Sequence, residues 1–152
     1  MVGLIVAIIF LNLIAFITNK RLTKNQIIHI WTFTIVFQVL FDEIVDETYD
    51  GYWYFTQGKE WGDFLTLTLL IPPVNMMFLN WYPFNAPILD KILYYIYWLI
   101  FMLFYEVIAL LPEPWGYFNY GWWNLWYSAL LDPILLFILV KYFKWICKIE
   151  KE

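Results

Sequence analysis

Four polar side chains stand inside otherwise apolar stretches of the chain: Gln38, Asn75, Glu106 and Asp132. In hydrocarbon surroundings an ionisable group costs about 2.5–3.5 kcal/mol on insertion scales, so it faces other helices or water. Asp132 and Glu106 are thus candidates for a proton or cation relay, or for hydrogen-bonded glue between helices. Asp132 is followed by Pro133, which has no backbone donor and frees the carbonyl of Ala129, so the pair predicts a kinked, polar point. Pro72 and Pro73 likewise free the carbonyls of Thr68 and Leu69. This predicts a broken third helix, around either a small cavity or a kink that Thr66 and Thr68 seal.

A second constellation is acidic. If the second helix runs on past Phe41, Asp42, Asp46 and Asp50 fall on one face at steps of four, beside Glu43 and Glu47. Hard cations take such oxygen ligands, which makes Asp42, Asp46 and Asp50 candidate metal ligands. The spacing is not that of an EF-hand loop, and the Glu-x-x-His pairs of carboxylate di-iron sites are missing. A solvated acidic rim accounts for the same residues.

A third is aromatic. Trp115, Tyr117, Trp122 and Trp123, with Glu113 close by, form an interfacial belt or an outward groove for a lipid head, a sugar or a quaternary amine. The sequence holds no Gly-x-Ser-x-Gly elbow, His-Glu-x-x-His pair or phosphate loop. Its single cysteine, Cys147, and single histidine, His29, are too few for zinc, haem or iron–sulfur ligation. No catalytic residue and no cofactor are expected.

These side chains need elements to position them, and composition says which. Of 152 residues 63% are hydrophobic, 24% aromatic and 14% charged, with a mean hydropathy of +0.64. An ordinary soluble domain is about 45–50% apolar and about 25% charged, so the surplus belongs in a bilayer. Five apolar runs predict helices over 2–17, 27–45, 63–80, 91–111 and 121–145, a single all-α transmembrane domain spanning 1–152. The first run has no basic residue ahead of it and carries Lys20, Arg21 and Lys24 after it, which reads as a permanent anchor and not a signal peptide.

With the N-terminus outside and the C-terminus cytoplasmic, eight of the nine Lys and Arg residues lie inside and only Lys59 outside, as retention of positive charge in the cytoplasm demands. Glu43, Asp46, Glu47, Asp50, Glu60, Asp63 and Glu113 then make the outer side acidic. A net charge of −4 argues against a nucleic-acid partner. Membrane lipids, a membrane-protein partner or further copies of the chain remain as partners.

In its proline-interrupted third run, the fourth run ending in Tyr105-Glu106, and the Trp-rich turn leading to Trp126-Tyr127-Ser128, the chain resembles a family of small, uncharacterised multi-pass membrane proteins of endospore-forming Firmicutes. The resemblance implies a bacterial cytoplasmic membrane and carries no activity with it. The reading that follows is a non-enzymatic envelope protein that binds a lipid or protein partner through its aromatic outer face. The alternative is a carrier or channel subunit that passes protons or cations along the intramembrane carboxylates.

Overall fold

The computed structural model describes residues 1–56 and 61–151, so Lys59 and Glu60 fall outside it. Five helices run along the chain: α1 (Val2–Thr18), α2 (Lys24–Thr48), α3 (Trp61–Trp81), α4 (Ile88–Ala109) and α5 (Leu125–Ile149). Between them lie two short strands, β1 (Tyr52–Tyr54) and β2 (Phe118–Tyr120). Helices α2, α3 and α4 are each long and apolar enough to cross a membrane. With 17 residues, α1 rises ~26 Å, just under a ~30 Å hydrocarbon core.

Local chemistry fixes the ends. Thr23 and Gln26 form a reciprocal capping box at the start of α2, and Asn124 accepts from the Trp126 N–H to start α5. Helix α3 is the centre of the bundle, with α1 and α2 packed against it and α5 against α2, α3 and α4. Outward-facing apolar residues, such as Ile9 and Phe10 on α1, Ile100 and Phe104 on α4 and Leu130 and Phe137 on α5, give the bundle an apolar belt.

Successive helices run in opposite directions, and hydrogen bonds tie their ends. At one end the Gly3 N–H donates to Pro114 O and β1 pairs antiparallel with β2, Trp53 opposite Asn119. Close packing at this crossing excludes a side chain at Gly121, where a Cβ would stand 2.1 Å from Asp50 O. At the other end the buried Asn80 side chain accepts from the Lys20 and Arg21 N–H groups and donates to Thr18 O. There too Asn25 and Gln26 donate to the Glu150 carboxylate, which these bonds hold below the usual carboxylate range. The charges separate in the same sense: Glu43, Asp46, Asp50 and Glu113 sit at the sheet end, Lys20, Arg21, Lys24, Lys148 and Lys151 at the opposite, basic end.

Three expectations need correction. The fold is not purely helical, because Tyr52–Tyr54 and Phe118–Tyr120 leave the helices to form a two-stranded sheet. The sheet and its turn also move the start of the last helix from 121 to Leu125. Helix α3 is not broken at Pro72-Pro73. It widens into a π turn over Thr66–Leu70, in which the Ile71 N–H reaches back to Thr66 O, and the prolines then open the next α-helical stretch. Of the two freed carbonyls, Leu69 O is taken by Asn12 Nδ2 of α1 at 2.8 Å, while Thr66 and Thr68 hydroxyls donate further back, to Gly62 O and Phe64 O. Helix α5 passes through Pro133 without ending.

Replacing Asn12 with Leu removes the donor to the Leu69 carbonyl, a bond on an exposed part of α3. The expected cost is about 0.5–1.5 kcal/mol, read as a lower Tm of the detergent-extracted protein, and an unchanged Tm would show that the proline step needs no outside donor.

Candidate functional site

Under the sheet, between α2, α3, α4 and α5, lies a cavity of ≈ 240 Å³, and its lining includes Gln38, Asn75, Glu106 and Asp132 together. Each is presented by helical spacing. Helix α5 turns Ser128 and Asp132 inward at i and i+4, α4 turns Met102, Tyr105, Glu106 and Ala109, and α2 turns Thr34, Gln38 and Phe41. Counted along the helices from the sheet end, Glu106 stands ~5 Å deep, Asp132 ~10 Å, Gln38 ~15 Å and Asn75 ~21 Å. The polar groups stand at successive depths in a chamber otherwise walled largely by apolar side chains such as Phe33, Leu70, Val74, Leu135 and Leu139. Beyond Asn75 on α3, Met76, Phe78 and Leu79 are fully buried in the core.

Glu106 is the hub of the upper part. Its Oε1 accepts from the Tyr120 hydroxyl of β2 and from Ser128 Oγ at 2.7 Å, and Ser128 Oγ in turn accepts from Trp123 Nε1 at 2.9 Å. Beside it the Tyr105 and Tyr117 hydroxyls share a hydrogen bond of 2.5 Å. Lower down, Asn75 Nδ2 donates to Thr34 Oγ1 at 2.9 Å. Asp132 and Gln38 also face the cavity, and neither makes a hydrogen bond to the described residues. Both side chains are half-buried.

The aromatic face divides. Tyr117 and Trp123 are buried and line the cavity from above, with Tyr52, Tyr54 and Phe118, whereas Trp115 and Trp122 are half exposed and Glu113 is at the surface. The cap is a packed aromatic cluster: Trp123 meets Tyr52 edge-on at 5.6 Å, and Tyr117 stacks on Phe55 at 5.8 Å.

The acidic residues crowd together, with Asp46 close enough to Asp42 and Asp50 for their charges to act on it, but not in a continuous α-helical register. Helix α2 continues past Asp42 as a π turn over Glu43–Thr48, which abandons the four-residue step, and Asp50 lies beyond its end at φ 51°. Asp42 points inward and accepts from the Tyr52 hydroxyl at 2.6 Å. Among the described residues no group of three or more His, Cys, Asp and Glu side chains is placed to hold a metal ion.

Sequence reasoning missed Ser128, Tyr120 and Thr34. Ser128 carried a signal, since it precedes Asp132 by one helical turn; Tyr120 did not, because its partner lies 14 residues away across a strand. Comparison of the chain with protein-family models, with curated proteins and with solved structures returns no match.

The phenols of the cap are held neutral. Burial, then the nearby Tyr54 and Asp42, push Tyr52 well above its ordinary value near 10; burial, then the Tyr105 hydroxyl, does so for Tyr117, and burial, then the bond to Glu106, for Tyr120. Folded values above the unfolded one mean stability that is complete below about pH 10 and is lost as pH rises through the folded values. An alkaline absorbance titration should therefore show a fraction of tyrosines that ionise only as the cap unfolds. Smooth titration of all tyrosines near pH 10 with the fold intact would contradict this.

Proposed function

We propose that the chain is a five-span, multi-pass protein of the bacterial cytoplasmic membrane, N-terminus outside and C-terminus cytoplasmic, that binds a small amphipathic molecule and does not transform it. The observation that carries this reading is the convergence of Gln38, Asn75, Glu106 and Asp132 on one cavity, two of them without hydrogen-bond partners among the described residues. A mostly apolar chamber with a few convergent polar groups is the usual form of a small-molecule site. The separation of basic and acidic ends supports the orientation, since Lys and Arg are retained on the cytoplasmic side. The aromatic recognition surface is the underside of the cap, where Tyr117 and Trp123 point, more than its outer side. The layout is also that of the Firmicutes family the sequence resembles.

A second reading rests on Glu106 and Asp132, close enough for each charge to act on the other. A proton or cation relay would use that pair, but no further carboxylate and no Lys, Arg or His lines the cavity among the described residues to carry a charge onward. Binding is therefore placed first.

Native mass spectrometry of the gently extracted protein should find a small molecule retained at one per chain, and Gln38→Leu and Asp132→Asn should lose it while keeping Tm within a few degrees. Equal retention by both variants would sink the reading. Should Asp132→Asn instead abolish proton flux in proteoliposomes, the relay takes first place. A reporter fused at the C-terminus is expected to be active in the cytoplasm, and activity on the outer side would reverse the orientation.

A further inference from the structure

Resting on the reading of this cavity as a ligand site, we infer that its occupant is a single-chain amphiphile with an ammonium head, entering sideways from the lipid between α1 and α4. The head is argued from charge. Two carboxylates, Glu106 and Asp132, face the cavity, Glu106 Oε2 and Asp132 make no hydrogen bond to the described residues, and no Lys, Arg or His among those residues lines it. The rings of Tyr52, Tyr117, Phe118 and Trp123 bound the same space, and aromatic faces beside carboxylates attract cations and repel anions. A phosphate-bearing or carboxylate head would find no cationic partner there.

The single chain is argued from size and shape. A volume of ≈ 240 Å³ is below the about 300–1,000 Å³ of sites that engulf a drug-sized molecule, so it takes a head and a short stem. The rest of the ligand needs an exit that is apolar. On the lipid-facing side of α1, α3 and α4 runs a groove of ≈ 270 Å³ walled by Phe10, Ile14, Met77 and Trp98, and it shares two lining residues, Leu11 and Phe101, with the cavity. These two side chains stand where chamber and groove meet. Leu11 is packed, whereas Phe101 is 40% exposed, its ring edge-on to Trp98 at 5.3 Å. An alkyl chain lying in the groove and passing Phe101 places its ammonium beside Asp132.

The test uses the full chain in nanodiscs and a matched set of probes: tetradecyltrimethylammonium, tetradecylamine, tetradecyl sulfate, monomyristoylglycerol and tetramethylammonium, with binding followed by tryptophan fluorescence. Saturable binding of the two cationic amphiphiles, weakened about tenfold or more by Asp132→Asn, is expected, as is little binding of the sulfate. Asp132 forms no hydrogen bond to the described residues, so this exchange strands no partner among them. Phe101→Trp enlarges the side chain where chamber and groove meet and should weaken the tailed cations while leaving tetramethylammonium unchanged. Stronger binding by the trimethylammonium than by the amine would indicate recognition by the rings; the reverse, recognition by the carboxylates. If the sulfate or the glyceride binds as well as the cations, and Gln38→Leu weakens all of them, the ammonium class is overturned and the cavity reading survives. If no probe responds to Asp132→Asn, Gln38→Leu or Phe101→Trp, both fall.

Discussion

Glu106 is the point on which the upper half of the molecule depends. One carboxylate oxygen on α4 takes hydrogen bonds from Tyr120 on β2 and from Ser128 on α5, and through Ser128 it also fixes the indole of Trp123. Strand, two helices and the turn between them are set relative to one another by a single acceptor. Bonds to a carboxylate are stronger than neutral ones, about 1.5–3 kcal/mol against about 1. Two strands of three residues would not hold together alone, and this oxygen, with the Tyr52–Asp42 bond and the packed rings of the cap, holds the sheet on the bundle.

The same need to satisfy polar groups in apolar surroundings shapes the core. Adjacent prolines in α3 could have broken the central helix. Instead the helix absorbs them by widening for one turn and borrowing a donor from Asn12 on its neighbour. That solution keeps the π turn and the cavity side by side, Thr66 and Leu70 of the turn lining the chamber. A helix that yields locally leaves space, and here the space is bordered by the polar residues the other helices contribute.

The first four helices were legible in the sequence because hydropathy is a local property: runs predicted at 2–17, 27–45, 63–80 and 91–111 lie almost wholly on helices at 2–18, 24–48, 61–81 and 88–109, while the fifth starts four residues later than its run. The inward residues were legible for a related reason, since an isolated polar side chain in an apolar run has few places to point. What stayed hidden was everything decided between distant segments. The Tyr52–Tyr120 pairing spans 68 positions and carries no periodicity longer than three residues. For that reason Tyr117 and Trp123 read as an outer belt while the fold turns them inward. Between Asp42 and Asp50 the register changed at a π turn, which no residue type in Glu43–Thr48 announces.

Asn80 carries a consequence for the order in which the molecule is made. Its one side chain closes the turn between α1 and α2 by bonding Thr18, Lys20 and Arg21, yet it lies about sixty residues further along the chain. The first two helices therefore leave the ribosome as a hairpin whose bend is held by Asn19, which donates to Leu22 O and accepts from the Leu22 N–H. The bonds that Asn80 adds to that bend form only once synthesis has reached the end of the third helix and it lies beside the first two.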